Sequence, residues 1–313
     1  MTLVITRVCN LGIVMVADSA EMVKNKIEFN GSEGYRWERR ETPYQKLFGV
    51  DGTKVGISMW GAADIGSLKT NKWVEKFIKN DIIGDISVCD IANKLALRLN
   101  QEFEKFDNGV ANKRTGFHVA GFDTNKHGIP VPSFYHVHNG HYKATYFKKR
   151  YFEFSPVEEV FNSENKTPDK IKSFKILRGK WYAEVDDNNP PLRRFIAHPD
   201  YIDARDLTTG RTTWNGDFVI LFELFKDAFE GKMSIQDIQE YTGFSIPPEL
   251  SSQAFQSIIA IKNAISLSQL AKSVVSLIKI IEKIHLSNGF PHIGSPIRVL
   301  TISKEGKEKF YMI

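Results

Sequence analysis

The apolar residues of the chain fall into blocks whose spacing changes along its length. The first block reads as two strands, Thr2–Cys9 and Ile13–Ala17, joined at Asn10-Leu11-Gly12, whose residue types suit a tight turn. Ile13-Val14-Met15-Val16-Ala17 is apolar without alternation, as expected of a strand covered on both faces. Residues 19–45 carry mixed charge, Gly31 and Gly34 and little periodicity, and read as a long loop or an exposed hairpin. A second hairpin runs through Lys46–Val50, turns at Asp51-Gly52 and returns over Lys54–Met59. Beyond Gly61 the spacing becomes helical. Ile65, Leu68, Val74, Phe77 and Ile78 form one stripe; Val88, Ile91, Leu95, Leu99, Phe103 and Phe106 form another, with Asp85 or Ser87 as its cap and Asn108-Gly109 as its stop.

Strands resume over Gly116–Phe122 and in a third hairpin, Phe134–Phe147, turning at Asn139-Gly140. Residues 148–212 are polar, rich in charge and contain Asn189-Pro190-Pro191, the pattern of an inserted subdomain or extended loop. Phe218–Phe229 reads as a helix, and Ser234–Tyr241 as a short one opened by a capping box from Ser234 to Asp237. A long apolar helix, Ile261–Ile284, precedes a final strand, Ile297–Ile302. Strands, two helices, strands, helices and a last strand suit two sheets sandwiched between helical layers.

Composition narrows this picture little. With 313 residues and 42% apolar content the chain can bury a sizeable core, as one large domain with insertions or as two small ones. Lys and Arg outnumber Asp and Glu by 42 to 37, a modest and dispersed excess that does not imply nucleic acid. Arg39-Arg40 and Lys148-Lys149-Arg150 read as solvated surface in preference to a phosphate-binding face. Cys9 and Cys89 sit in apolar-patterned segments without metal spacing, as buried, reduced thiols of a cytoplasmic protein do. No secretory signal is legible, and no segment reaches the roughly 18 uninterrupted apolar residues of a membrane span.

The chemistry begins at the first hairpin. If it turns symmetrically about Asn10, Thr2 lies opposite Asp18, and a hydroxyl and a carboxylate share one end of the sheet. In the second hairpin, the start at Lys46 and the exit at Met59–Gly61 share an end in the same way, which makes Lys46 and the Gly61 amide neighbours. A hydroxyl nucleophile needs a base, a positive charge and a donor for the developing oxyanion. Thr2 supplies both hydroxyl and base once Met1 is removed, because a free α-amine has a pKa of about 8 and is partly neutral at physiological pH. Lys46, paired with Asp18, favours the ionised hydroxyl, and the Gly61 amide holds the oxyanion.

Those residues carry a family likeness. Thr2 followed sixteen residues later by the Asp18 of Met15-Val16-Ala17-Asp18-Ser19, then Lys46-Leu47-Phe48 and Trp60-Gly61-Ala62-Ala63-Asp64, resembles a proteasome β-type subunit. The order is also similar to that of the bacterial protease subunit that pairs with an unfoldase ring. Val119-Ala120-Gly121-Phe122-Asp123 and Ile293-Gly294-Ser295-Pro296-Ile297 extend the likeness to about half the chain. The resemblance implies a four-layer αββα sandwich of the N-terminal nucleophile hydrolase class. It also implies one domain over 1–313 with an insertion at 148–212, no metal or organic cofactor, a homo-oligomeric ring or dimer, and a possible unfoldase partner. By the same mapping Tyr44, Met59 and Ala63 line the pocket that selects a peptide or small-amide substrate. The family's supporting Gly-Ser-Gly turn is replaced by Trp214-Asn215-Gly216-Asp217, where Asn215 or Asp217 takes the serine's place. Ser287 stands in for the serine before the last strand, His285 sits where an acid is expected, and Ala20 replaces the arginine after the Asp-Ser pair.

Two other readings use the same residues: an inactive proteasome-like structural or binding subunit, and a small-amide hydrolase in place of a peptidase. A rival constellation is His136, His138 and His141, which a hairpin brings together as a metal would require, but no carboxylate or cysteine completes the set nearby. Cys9 faces away from Thr2 by strand parity and reads as packing.

Overall fold

A computed structural model describes residues 3–29, 32–40, 42–84, 86–105, 115–125, 127–139, 147–148, 171–177, 180–185, 196–199, 210–216, 219–289, 293–305 and 308–312. The chain opens with β1 (Leu3–Cys9) and β2 (Gly12–Ala17), continues into a separate two-stranded ribbon, β3 (Met22–Phe29) and β4 (Ser32–Arg39), then into β5 (Leu47–Val50) and β6 (Val55–Trp60). A small ribbon, β7 (Asp64–Ile65) and β8 (Leu68–Lys69), leads into helices α1 (Thr70–Asp81) and α2 (Val88–Lys105), followed by β9 (Gly116–Thr124) and β10 (Pro130–His138). Next come β11 (Phe147–Lys148), β12 (Ile171–Leu177), β13 (Lys180–Val185), β14 (Ile196–Pro199) and β15 (Arg211–Gly216). Helices α3 (Val219–Phe229), α4 (Ile235–Thr242), α5 (Pro248–Lys262) and α6 (Leu267–Ser287) precede β16 (Arg298–Ile302) and β17 (Glu308–Met312).

Two five-stranded sheets organise this mixed α/β fold, in the orders β15-β1-β2-β16-β17 and β14-β10-β9-β6-β5, and every strand pair in them is antiparallel. Alternation along β2 shows how they are buried. Val14 and Val16 join a cluster with Leu224, Phe225, Ala254, Val274, Ile278 and Ile281 of α3, α5 and α6. Ile13, Met15 and Ala17 point the other way, into a cluster with Leu47, Ala120, Phe122 and Phe134 of the second sheet. The far face of that sheet, through Phe48, Ile57, Met59, Phe117 and Val119, meets Trp73, Val74, Ile91, Leu95 and Leu99 of α1 and α2. The unalternating apolar run is thus covered on both faces, as its sequence predicts, and each such side chain gains roughly 1.5–3 kcal/mol on leaving water. No helix of the described residues is long and apolar enough to cross a membrane.

Several boundaries differ from the sequence expectation for physical reasons. The first hairpin turns on two residues, Asn10-Leu11, with Cys9 opposite Gly12, so the register pairs Val4 with Ala17 and brings Leu3, not Thr2, opposite Asp18. The second hairpin uses four turn residues, 51–54, which puts Lys46 opposite Met59 through the Met59 amide to Lys46 carbonyl bond of 2.9 Å, and leaves Gly61 two residues further on. Ile65 and Leu68 belong to the β7–β8 ribbon, so α1 begins only at Thr70. Phe134 does not start a hairpin with Phe147: β10 pairs with β9 and β14. The turn is made earlier by Asn125, whose Oδ1 accepts from the His127 and Ile129 amides. Asn139 is instead buried, its Oδ1 accepting from the Thr115 amide at 2.8 Å, while Asp85, Phe106, Asn108-Gly109 and Gly140 lie outside the described residues.

The long apolar helix is two helices. Asn263 ends α5, and Ser266 caps α6 by accepting from the Gln269 amide at 3.2 Å. Ser234 and Asp237 form the expected reciprocal capping box on α4. β16 is not the last strand, since β17 pairs with it at the sheet edge. Within 148–212, β14 is an edge strand of the second sheet, and β11, β12 and β13 form a sheet of their own. Cys9 is buried, whereas Cys89 is only half-buried on α2.

Candidate active site

Asp18 follows the last residue of β2 and is fully buried, as is nearly all of Lys46 just before β5. Their side chains meet directly: Lys46 Nζ lies 3.0 Å from Asp18 Oδ1 and 3.1 Å from Oδ2, and donates to the Ala20 carbonyl at 2.6 Å. The carboxylate also accepts from two backbone amides, Leu3 through Oδ1 at 2.8 Å and Ala20 through Oδ2 at 3.0 Å. A charge taken out of water is tolerated only when its hydrogen-bonding capacity is met, and here one carboxylate receives an ammonium and two N–H donors. Asp18 closes the ladder as well, its amide donating to the Leu3 carbonyl at 3.1 Å. The Lys46 ammonium and the Leu3 amide therefore share one acceptor atom, Asp18 Oδ1.

Gly61 leaves β6 with φ of 95°, a conformation that strains any residue with a Cβ, and it is exposed. The segment after it is held firmly. The Ala62 amide donates to Thr115 Oγ1 at 3.1 Å, Thr70 Oγ1 donates to the Ala62 carbonyl at 2.8 Å, and the Thr70 amide donates to the Ala63 carbonyl at 2.8 Å. Tyr44 ties this segment to the Asp18 turn. Its amide donates to the Ser19 carbonyl at 2.9 Å, its hydroxyl donates to the Ala63 carbonyl at 3.0 Å, and that hydroxyl accepts from the Asn71 amide at 3.1 Å. Burial pushes the Tyr44 phenol up to about 12, with the Glu21 charge adding to the shift and the Asn71 amide opposing it. Met59 belongs to the same buried apolar cluster as Tyr44, whose hydroxyl meets the Ala63 carbonyl.

Thr2 lies outside the described residues, as do Asp217 and His141. Asn215 sits on β15 opposite Val4 of β1, toward the chain end that precedes Leu3. Ser287 is exposed at the last turn of α6, where its Oγ donates to the Ile284 carbonyl at 3.0 Å, and His285 is buried against the Phe244 ring. Among the described residues Ser287 makes no hydrogen bond to Asp18 or Lys46. His136 and His138 have ring centroids 4.7 Å apart, and His118 stands 5.3 Å from His136 with its Nδ1 2.9 Å from Thr6 Oγ1. Among the described residues no group of three or more His, Cys, Asp or Glu side chains is arranged to hold a metal.

The sequence reading missed a group on the other side of the Asp18 turn. The Ser19 amide donates to the Gly294 carbonyl at 2.9 Å, and the buried Glu282 of α6 accepts from the Ser295 amide at 3.0 Å and from Ser295 Oγ at 3.1 Å. Arg39 reaches the same carboxylate at 3.5 Å, so it is not the solvated surface residue its charge pattern predicts; Arg40 is exposed and faces Glu21 at 3.6 Å. The signal was present in the spacing. Val275, Ile278, Ile281 and His285 mark the buried stripe of α6, and Glu282 falls on it, a carboxylate where an apolar residue is expected.

No family model matches the chain, and no curated protein matches it. Among solved structures it is similar to Anbu (ancestral beta-subunit) from Yersinia bercovieri, at 10% sequence identity and a TM-score of 0.43, over 99% of this chain and 86% of that one. At that identity and score the likeness is too distant to carry an assignment of fold or activity.

Proposed function

We propose that the chain is a threonine-type amide-bond hydrolase, built as one four-layer αββα domain over 1–313, whose nucleophile is Thr2 after removal of Met1. The observation that carries this reading is the buried Asp18–Lys46 pair fastened to the Leu3 amide, the peptide group that follows Thr2. Alternation supports it, because Val4 and Val8 face the gap between the sheets and Thr2 has their parity.

In this reading the neutral α-amine of Thr2 takes the hydroxyl proton as Oγ1 attacks the substrate carbonyl carbon. The Lys46 charge favours the developing alkoxide, and the Gly61 amide donates to the carbonyl oxygen as it gains negative charge. The C–N bond breaks, the α-amine returns its proton to the leaving nitrogen, and a threonyl ester remains; water then attacks the ester and restores the hydroxyl. Asp18 aims the Lys46 ammonium through both carboxylate oxygens. Asn215, opposite Val4 on β15, is proposed as a support of the amine, and Tyr44, Met59 and Ala63 as the wall of the substrate pocket. The same reading includes a homo-oligomeric ring or dimer, an unfoldase partner and a cytoplasmic location, with no cofactor.

A small amide is the second substrate reading. It is favoured by Tyr44, which is buried and fastened at its hydroxyl from two sides, so that a pocket walled by this ring does not widen by swinging it aside. A panel of fluorogenic peptides and of small amides, hydrolysed by purified protein and by Thr2→Ala, separates the two. Turnover of either class that disappears in Thr2→Ala supports the hydrolase; no turnover of any member, with Met1 retained, favours the inactive binding subunit.

A further inference from the structure

The β3–β4 ribbon is rooted next to the candidate site and ends at Arg39. Arg39 Nη2 donates to the Ser295 carbonyl, and Nη1 faces Glu282 Oε1 at 3.5 Å. Glu282 in turn accepts from both the amide and the hydroxyl of Ser295. The 294–295 turn is thereby gripped by a carboxylate from one side and a guanidinium from the other. Gly294 is part of the same packing: a Cβ built there would run into the Arg39 guanidinium, so only glycine lets the side chain lie against the backbone. The Gly294 carbonyl then takes the Ser19 amide, one residue from Asp18.

The energetics point the same way. Glu282 occupies a core position of α6 where an apolar residue of similar volume would serve stability as well or better, since a buried ion pair rarely repays its desolvation. What the pair supplies is a fixed place for the chain that touches Ser19. Removing one partner leaves the other half-buried and the turn held on one side only.

We propose that Arg39 and Glu282 are positioning residues of the site: their ion pair, closed on Ser295, holds the Gly294 carbonyl against the Ser19 amide and so fixes Asp18 relative to β1. This inference rests on the reading of Thr2 as nucleophile. Neither residue touches the reacting atoms. Their effect runs through Ser19 and Asp18 to the placement of Lys46 and Thr2, and a displacement of about 1 Å in such a group costs on the order of 100-fold in rate.

The test uses the full chain with Arg39→Ala, Arg39→Lys and Glu282→Gln, acylated by a β-lactone and followed by intact mass. The saturating acylation rate of Arg39→Ala and Glu282→Gln is expected to fall about 10- to 100-fold with little change in the half-saturating concentration. Arg39→Lys, which keeps the charge, recovers most of it. In parallel, hydrogen exchange at the Ser19 amide speeds up in Arg39→Ala while the α2 core amides keep their protection. Wild-type acylation in Arg39→Ala, or unchanged Ser19 exchange in all three variants, overturns the proposal. If the wild-type protein is not acylated, the nucleophile reading fails by itself, and Ser19 exchange alone decides whether the ion pair positions the turn. If Arg39→Ala does not fold, Glu282→Gln takes its place in both measurements: slowed acylation with faster Ser19 exchange supports the proposal, and wild-type behaviour in either overturns it.

Discussion

The two ends of the β1–β2 hairpin are made of the same two strands and end in opposite ways. At one end Asn10-Leu11 closes a two-residue turn, with Asn10 exposed to water. At the other, Leu3 and Asp18 close the ladder inside the protein, and a carboxylate and an ammonium are buried with it. A hairpin needs only the first kind of end to be stable. The second costs desolvation of two charges, and that cost is met only because the Lys46 ammonium and the Leu3 and Ala20 amides converge on one carboxylate. The proposed chemistry is therefore placed at the end where polar groups are buried together.

Lys46→Ala should separate the two ends most strongly. It leaves the Asp18 carboxylate buried without its ammonium, so a loss of about 3–5 kcal/mol is expected in urea unfolding, together with loss of β-lactone acylation. A protein that keeps its stability with this change would make the charged end ordinary surface.

A smaller effect follows at Tyr44. The folded protein holds its phenol up to about 12 against an ordinary value of 10, so the neutral form is the one favoured on folding. That stability is fully present below pH 10 and is lost as pH rises toward 12. Tyr44→Phe should therefore show less alkaline loss over this window, by on the order of 2–3 kcal/mol, when unfolding midpoints of the two proteins are compared. At neutral pH the same substitution leaves the Ala63 carbonyl and the Asn71 amide without the hydroxyl and should cost about 1–2 kcal/mol.

Loss of a helix cap far from the site gives a reference value. Ser234→Ala removes the cap of α4 and should lower stability by about 1 kcal/mol while leaving acylation unchanged. The smallest change belongs to the exposed turn, where Asn10→Asp is expected to stay within about 0.5 kcal/mol of the parent in stability and to leave acylation as it was.

Much of the fold was legible because it is written locally. The unalternating run Ile13–Ala17, the α2 stripe from Val88 to Phe103 and the Ser234 box each follow from side chains a few residues apart. The register of the first hairpin was not, because strand type does not count turn residues: a two-residue turn at Asn10-Leu11 shifts every partner by one. Ser266 with Gln269 was a helix-start signal hidden inside a continuous apolar pattern, which made two helices look like one. Of the candidate site, Asp18, Lys46 and Tyr44 were found in sequence, and the structure brings their environments together. Arg39 and Glu282 were out of reach because they are partners only through the fold, from a ribbon and a helix with no shared local pattern.

The sharpest experiment maps the residue modified when purified protein is treated with a β-lactone and its N-terminal peptide is sequenced by mass spectrometry. A chain that begins at Thr2 and carries the acyl group on that threonine, with no adduct in Lys46→Ala, is the expected result. An intact Met1 with Thr2 unmodified, or the same adduct formed at the same rate without the lysine, would contradict the proposed chemistry.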